Sequence, residues 1–161
     1  MPHITPAHLH VLINHIPIIG LPIIAALLLW GIARREDAVI RAALIGTVLI
    51  AAGTFVVNLT GDAAKDDIRD TPWFRKEVMK VHEDAGDKTN ILAIVAGVAA
   101  LATLVKSRGG KPFSRPFAFV TLFLIVFAAM CAGWAGWEGG KIRHTEFGTT
   151  LPPATASPAP R

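Results

Sequence analysis

The sequence contains very little cysteine, and this excludes two kinds of site. Cys131 is the only cysteine among the 161 residues, so the chain cannot form an internal disulfide. A Cys-x-x-Cys-His motif, which would attach a haem covalently, is also missing. Any haem would therefore have to bind non-covalently, through side chains such as histidine.

The motifs of common enzymes and nucleic-acid-binding proteins are missing as well. The chain has no catalytic nucleophile set, no glycine-rich phosphate loop, no nucleic-acid-binding motif and no internal repeat. Its formal charge of +4 does not indicate nucleic acid as a partner, because the basic residues lie between apolar segments, where membrane topology explains them. An electron carrier or a subunit of a complex is expected rather than an independent enzyme.

Long apolar blocks occupy most of the chain. Hydrophobic residues make up 52% of it, and the mean hydropathy is +0.48. Four blocks cover about residues 9–33, 38–59, 89–105 and 117–137, each close to or above the roughly 20 residues that cross a bilayer. Helices are predicted, because open strands would leave backbone groups unpaired in lipid. We expect an all-α, integral membrane bundle of four transmembrane helices over residues 1–148, in contact with the lipid bilayer.

The sequence makes a separate prediction for each end of the chain. The first residues lack a basic region, and no small-residue cleavage site follows the first block, so we expect this block to be retained as a span. Residues 149–161 are rich in proline, alanine, serine and threonine. They are predicted to form an extended or disordered tail.

The basic residues predict an orientation. Four spans place both termini and the 59–88 loop on one side, called face A here, and the loops at 34–41 and 106–116 on the other, called face B. Two acidic residues of face B, Glu36 and Asp37, stand against seven basic ones: Arg34, Arg35, Arg41, Lys106, Arg108, Lys111 and Arg115. Short, densely basic loops favour the cytoplasm. The chain is therefore predicted to lie in the bacterial inner membrane with both termini in the periplasm.

All the histidines are predicted to lie at face A or in the membrane layer next to it: His3, His8, His10, His15, His82 and His144. His15 is the deepest in span one, and an ionisable residue within a span usually faces the bundle interior and marks a site. At about 100° per residue, His8 and His15 share a helix face, and His10 points elsewhere. The pattern favours His15 as a ligand.

Small residues follow one face of spans three and four. The stripe of span three is His82, Gly86, Asn90, Ala93, Gly97 and Ala100, and that of span four is Ala129, Gly133, Gly136 and Gly140. Such stripes allow another helix or a flat cofactor to come close. Plain helix packing is the alternative interpretation. Arg143 and His144 follow span four, where a cation suits an acidic group such as a haem propionate.

Four short segments together resemble a known family. "NHIPIIG" in span one, "LTGDAA" after span two, "VHEDAG" before span three and "GGKIRHTEFG" after span four occur in this order. They are similar to segments of a family of uncharacterised four-helix bacterial membrane proteins, the domain of unknown function 2231 type. The resemblance covers roughly residues 8 to 148. It implies the four-helix architecture and a histidine cluster at face A, without an activity.

The first functional hypothesis is a membrane electron-transfer protein that binds haem b, for which the cytochrome b561 type of bundle is a looser analogy. A haem needs one or two axial imidazoles, clearance for its ring and cations for its propionates. The residues predicted to contribute are His8, His10, His15, His82, Gly86, Gly133, Arg143 and His144. A redox partner, a quinol or a larger membrane complex would exchange the electrons.

Two other hypotheses stay open at this point. A copper or zinc ion could bind near face A through His15, His82 and His144, since imidazoles suit such ions. Alternatively, the chain could be a non-catalytic accessory subunit of a larger complex, with its histidines at an interface or in a proton relay.

Overall fold

Residues 4–144 are described by a computed structural model and form five α-helices. The helices are α1 (Pro6–Ile13), α2 (His15–Arg34), α3 (Asp37–Ile68), α4 (Lys76–Lys106) and α5 (Arg115–Arg143), with a short 3-10 turn at Arg108–Gly110. The described range contains no strand. Counting α1 and α2 as one span, four helical segments are long and apolar enough to cross a membrane. The predicted all-α, multi-pass four-helix bundle is confirmed, and residues 149–161 lie outside the described range.

The helices pack in a closed ring around a core of small and aliphatic side chains. Contacts join α2 to α3, α3 to α4, α4 to α5 and α5 back to α2, as in an up-and-down bundle. Leu21, Leu28, Leu44 and Ile125 are fully buried, together with many alanines. Large apolar side chains cover the outside of every span, and lipid contact accounts for this exposure. The protein is therefore built to meet lipid on its sides.

Buried hydroxyl groups in the spans are satisfied within their own helices. Five threonines donate to the carbonyl oxygen four residues earlier, at 2.7–3.0 Å: Thr47, Thr54, Thr89, Thr103 and Thr121. The side-chain hydrogen bonds that the structure describes between different helices lie instead at face A. Polar contacts that fix one helix relative to another are thus concentrated there.

Helices α3 and α4 extend beyond the predicted spans at face A. Helix α3 ends at Ile68 rather than near residue 59, and α4 begins at Lys76 rather than near 89. Cross-helix pairs hold these polar extensions together: Lys65 Nζ lies 2.7 Å from Glu83 Oε1, and Asn58 Nδ2 donates to Asp87 Oδ1 over 3.1 Å. The polar residues after span two therefore continue a helix instead of terminating it.

The small-residue stripe of α4 lets α3 approach closely at Gly97. A Cβ added there would lie 2.7 Å from the Ala51 Cβ, which is too close for two methyl groups. Ala93 and Ala100, on the same stripe, are buried. In this part of the chain, helix packing explains the stripe.

A Gly97→Ala substitution is expected to destabilise the bundle, because neither Ala51 nor the backbone behind it can yield without moving α3. The expected loss is about 1–3 kcal/mol in the free energy of unfolding, as for other overpacked cores. Thermal unfolding in detergent, followed by circular dichroism, measures it. Gly133→Ala is the matched control, since nothing lies within 4 Å of its added Cβ. Equal melting temperatures for the two variants would contradict the close packing at Gly97.

Candidate functional site

A cavity of about 780 Å³ lies at the face A end of the bundle, between all five helices. Its walls include every histidine that the described residues contain: His8, His10, His15, His82 and His144. His3 lies outside the described range. The volume is within the usual range of about 300–1,000 Å³ for small-molecule and cofactor pockets. The cavity is therefore the candidate site, and it gathers the histidines predicted for face A.

The cavity is next to a break in the first span. Pro17 has no N–H to donate to the carbonyl of Ile13, and its ring crowds that carbonyl, so α1 ends at Ile13 and α2 begins at His15. Above the break α1 packs against α3, whereas α2 packs against both α3 and α5. The first span therefore diverges from α5 at the break, and this leaves space between α1 and the C-terminal end of α5.

His10 enters the bundle from α1 and is held by α3. Its Nδ1 lies 3.1 Å from Thr60 Oγ1, and the Thr60 hydroxyl donates its own proton to the Val57 carbonyl over 2.8 Å. The hydroxyl oxygen is therefore left as an acceptor, and His10 Nδ1–H must donate to it. The ring packs next to Gly61, where an added Cβ would make an ordinary contact of 3.6 Å with His10 Cε1.

His82 is held in the same way by α5. Its Nδ1 lies 2.8 Å from the Ala135 carbonyl oxygen, which can only accept, so Nδ1–H is the donor. Gly139 lies one turn later on α5, and a Cβ at that position would be 3.0 Å from both Cε1 and Nδ1 of His82. The missing side chain of Gly139 is what opens the Ala135 carbonyl to the imidazole.

The His10 and His82 rings lie next to each other in the site. Their centroids are 6.2 Å apart, and their planes are nearly perpendicular, at 88°. Because each Nδ1 carries the proton, each neutral ring keeps a lone pair on Nε2. Ligand histidines are commonly arranged this way, with the other ring N–H donated to a carbonyl or similar acceptor. The pair therefore offers two oriented imidazole ligands from two different helices.

As helical periodicity predicts, His10 points to a different side of the first span from His8 and His15, and it is His10 rather than the favoured His15 that turns inward. His10 is half-buried and lies beside His82, whereas His8 and His15 are exposed. His15 Nδ1 donates to the Val11 carbonyl over 3.0 Å, across the break in the first span. Contact with α3 decides which face of α1 turns inward, and that face carries His10.

The other predicted site residues are divided between the cavity and the surface. Gly86 lines the cavity one turn after His82, and nothing lies within 4 Å of its added Cβ. Gly133 is exposed and is not part of the cavity lining, because α5 turns Ala132 and Ala135 inward instead. Arg143 lines the cavity with its guanidinium 4.6 Å from the centre of the Trp73 ring. The exposed His144 also lines it.

Thr60, Gly61 and Gly139 are the site residues that the sequence did not single out as partners of histidines. A glycine leaves the backbone carbonyl of the residue one turn earlier open to a partner, but only the pairing of helices shows which histidine donates to that carbonyl.

No group of three histidine, cysteine or carboxylate side chains within residues 4–144 is arranged to hold a metal ion. The imidazole pair is thus a two-ligand site as far as the described chain is concerned.

Comparison with protein-family profiles, curated proteins and solved structures finds no match for this chain. The resemblance to the uncharacterised four-helix family stays a prediction.

The hydrogen bond between His10 and Thr60 can be tested directly. Thr60→Val keeps the shape but removes the acceptor, so His10 is expected to lose its preference for the Nδ1–H tautomer, at a cost of about 0.5–1.5 kcal/mol. Nitrogen-15 NMR of labelled histidine in detergent measures the tautomer ratio. Thr47→Val, in the core away from the cavity, should leave the ratio unchanged. An unaltered His10 signal in the Thr60 variant would show that Thr60 does not orient the ring.

Proposed function

We propose that this protein is a membrane electron carrier, or a subunit of a redox complex, that holds one haem b between His10 and His82. The observation that supports this most directly is the pair of neighbouring imidazoles, each with its Nδ1–H donated to an acceptor on another helix. His10 of α1 and His82 of α4 would hold the haem, and their ring centres lie 6.2 Å apart.

The number of ligands favours haem over copper or zinc. The macrocycle of a haem supplies four nitrogens to its iron, so the protein has to add only two. A zinc or copper site needs three or four protein ligands in most cases. Since residues 4–144 contain no such group of three, the described site suits a haem better.

The surroundings of the imidazole pair suit a flat, acidic cofactor. Gly86 leaves open space beside His82 on the cavity side of α4. Arg143 lines the cavity and supplies positive charge of the kind that binds propionates, whereas Lys65, which also lines it, is paired with Glu83. A bound haem would supply reversible one-electron chemistry, and the chain's own residues would orient the two ligands and limit the access of water.

The orientation we propose is that of an inner-membrane protein of bacteria, with face A in the periplasm. The dense positive charge of the short face B loops supports this assignment. The site then lies near the periplasmic surface, where a quinol or a larger membrane complex could exchange electrons with it.

An absorption spectrum tests the proposal. The detergent-purified protein, expressed with ample haem, is expected to show a Soret band and, after reduction with dithionite, the sharp α-band of iron with two histidine ligands. Haem and protein are then quantified in the same sample, with one haem per chain as the expected ratio. A preparation that lacks both bands after haem-replete expression, and gains none on addition of hemin, would overturn the proposal.

A further inference from the structure

Face B carries an exposed patch of positive charge whose basic side chains form no ion pair with carboxylates of residues 4–144. We propose that this patch binds the headgroups of anionic phospholipids such as phosphatidylglycerol. The patch consists of Arg34, Arg35, Arg41, Lys106, Arg108, Lys111 and Arg115. This inference is independent of haem binding, which concerns the opposite end of the bundle.

The basic side chains of the patch are accessible to an external partner. All seven side chains are exposed. The ion pairs formed by residues 4–144 lie at face A, between α3 and α4 or within the ends of α3 and α5. Glu36 and Asp37 are the only acidic residues in the two face B loops. The positive charge of face B is therefore available to an external anion.

Packing under the patch joins the two loops into one surface. Phe113 of the second loop is 7% exposed and belongs to the core, and the Arg41 guanidinium of α3 lies 5.0 Å from its ring centre. Gly109, with a φ of 71°, allows the second loop to turn back tightly between α4 and α5. The charges of the two loops are thus presented side by side on a fixed support.

The depth of the patch indicates a lipid headgroup rather than a soluble anion. Arg34 lies 5.7 Å from the ring centre of Trp30, and Lys106 lies 3.8 Å from that of Phe117. Both rings are exposed on the lipid-facing sides of their helices, at 60% and 42%. Tryptophan such as Trp30 is typical of the membrane–water boundary, and basic residues close to it are attracted to anionic lipid headgroups.

Native mass spectrometry of the full chain tests this, with equal amounts of phosphatidylglycerol and phosphatidylcholine added in detergent. The wild-type protein is expected to retain phosphatidylglycerol preferentially. The triple variant Arg108→Gln, Lys111→Gln, Arg115→Gln should lose most of that preference, by roughly tenfold or more. The matched control, Lys76→Gln, Lys80→Gln, Lys88→Gln, removes the same charge from face A and should keep it.

Three outcomes would overturn the assignment. The first is an unchanged preference in the face B variant, and the second is an equal loss in the face A control. The third is displacement of the bound lipid by millimolar inorganic phosphate or glycerol phosphate, which would indicate a site for a soluble anion. A circular dichroism melt confirms that both triple variants are folded, and the haem content of each sample reports separately on the cavity.

Discussion

Replacing His82 with alanine is expected to abolish the proposed haem binding while the bundle stays folded. The half-buried ring of His82 donates to the Ala135 carbonyl and packs against Gly139, so its position is set by α5. Loss of a group that merely orients a metal ligand commonly costs 10–100-fold in affinity, and loss of a ligand should cost at least about as much. The measurement is haem per protein after purification, by the pyridine haemochrome method.

His10→Ala should give a related but distinguishable result. Only His82 of the proposed pair would then remain to hold the haem, and the spectrum is expected to change from low-spin to high-spin. His15→Ala is the informative contrast, because His15 is exposed and its Nδ1 is engaged within its own span. Retention of the wild-type spectrum is expected for that variant. If His15→Ala lost the haem and His10→Ala kept the low-spin spectrum, His15 would be the ligand, and the pairing proposed here would fail.

The four-helix architecture could be predicted from the sequence because lipid imposes a simple requirement. A span must be apolar over about 20 residues, and four such blocks stand out without any knowledge of tertiary contacts. The clustering of histidines at one end follows from the same count of spans. Composition and topology together therefore identify the end of the molecule that carries the candidate site.

The inward-facing histidine of span one could not be predicted in the same way. Helical periodicity orders His8, His10 and His15 around an axis, but it does not say which direction points to the bundle. Contact between α1 and α3 decides this direction. The break at Pro17 lets α1 pack against α3, whereas α2 packs against both α3 and α5. Helical periodicity therefore gives the directions of the three side chains relative to one another, and the contact between α1 and α3 decides which of them points into the bundle.

The extensions of α3 and α4 show a second limit of the sequence. Polarity after residue 59 correctly indicates the end of the apolar block, but a helix does not have to end where a membrane does. Pairs such as Lys65 with Glu83 stabilise the helices above it. His82 depends on this extension, because it lies on the part of α4 that precedes the apolar block.

Gly139→Val is expected to abolish the proposed haem binding with little effect on the rest of the fold. The new Cβ would lie 3.0 Å from two atoms of the His82 ring, and the further methyl groups of valine increase the crowding. The ring must turn, which breaks its hydrogen bond to the Ala135 carbonyl and misdirects Nε2. A loss of about tenfold or more in haem content is expected, together with a weakened α-band in the remaining fraction.

Gly133→Val separates this effect from the general cost of valine in α5. Gly133 lies on the same helix, nothing is within 4 Å of its added Cβ, and it is exposed rather than in the cavity. Both variants lose a glycine and gain the same β-branched side chain, so their helix propensities change equally. Only Gly139→Val should therefore lose haem. If both variants lost it to the same degree, the effect would belong to α5 as a whole, and the contact between Gly139 and His82 would not be what orients the ligand.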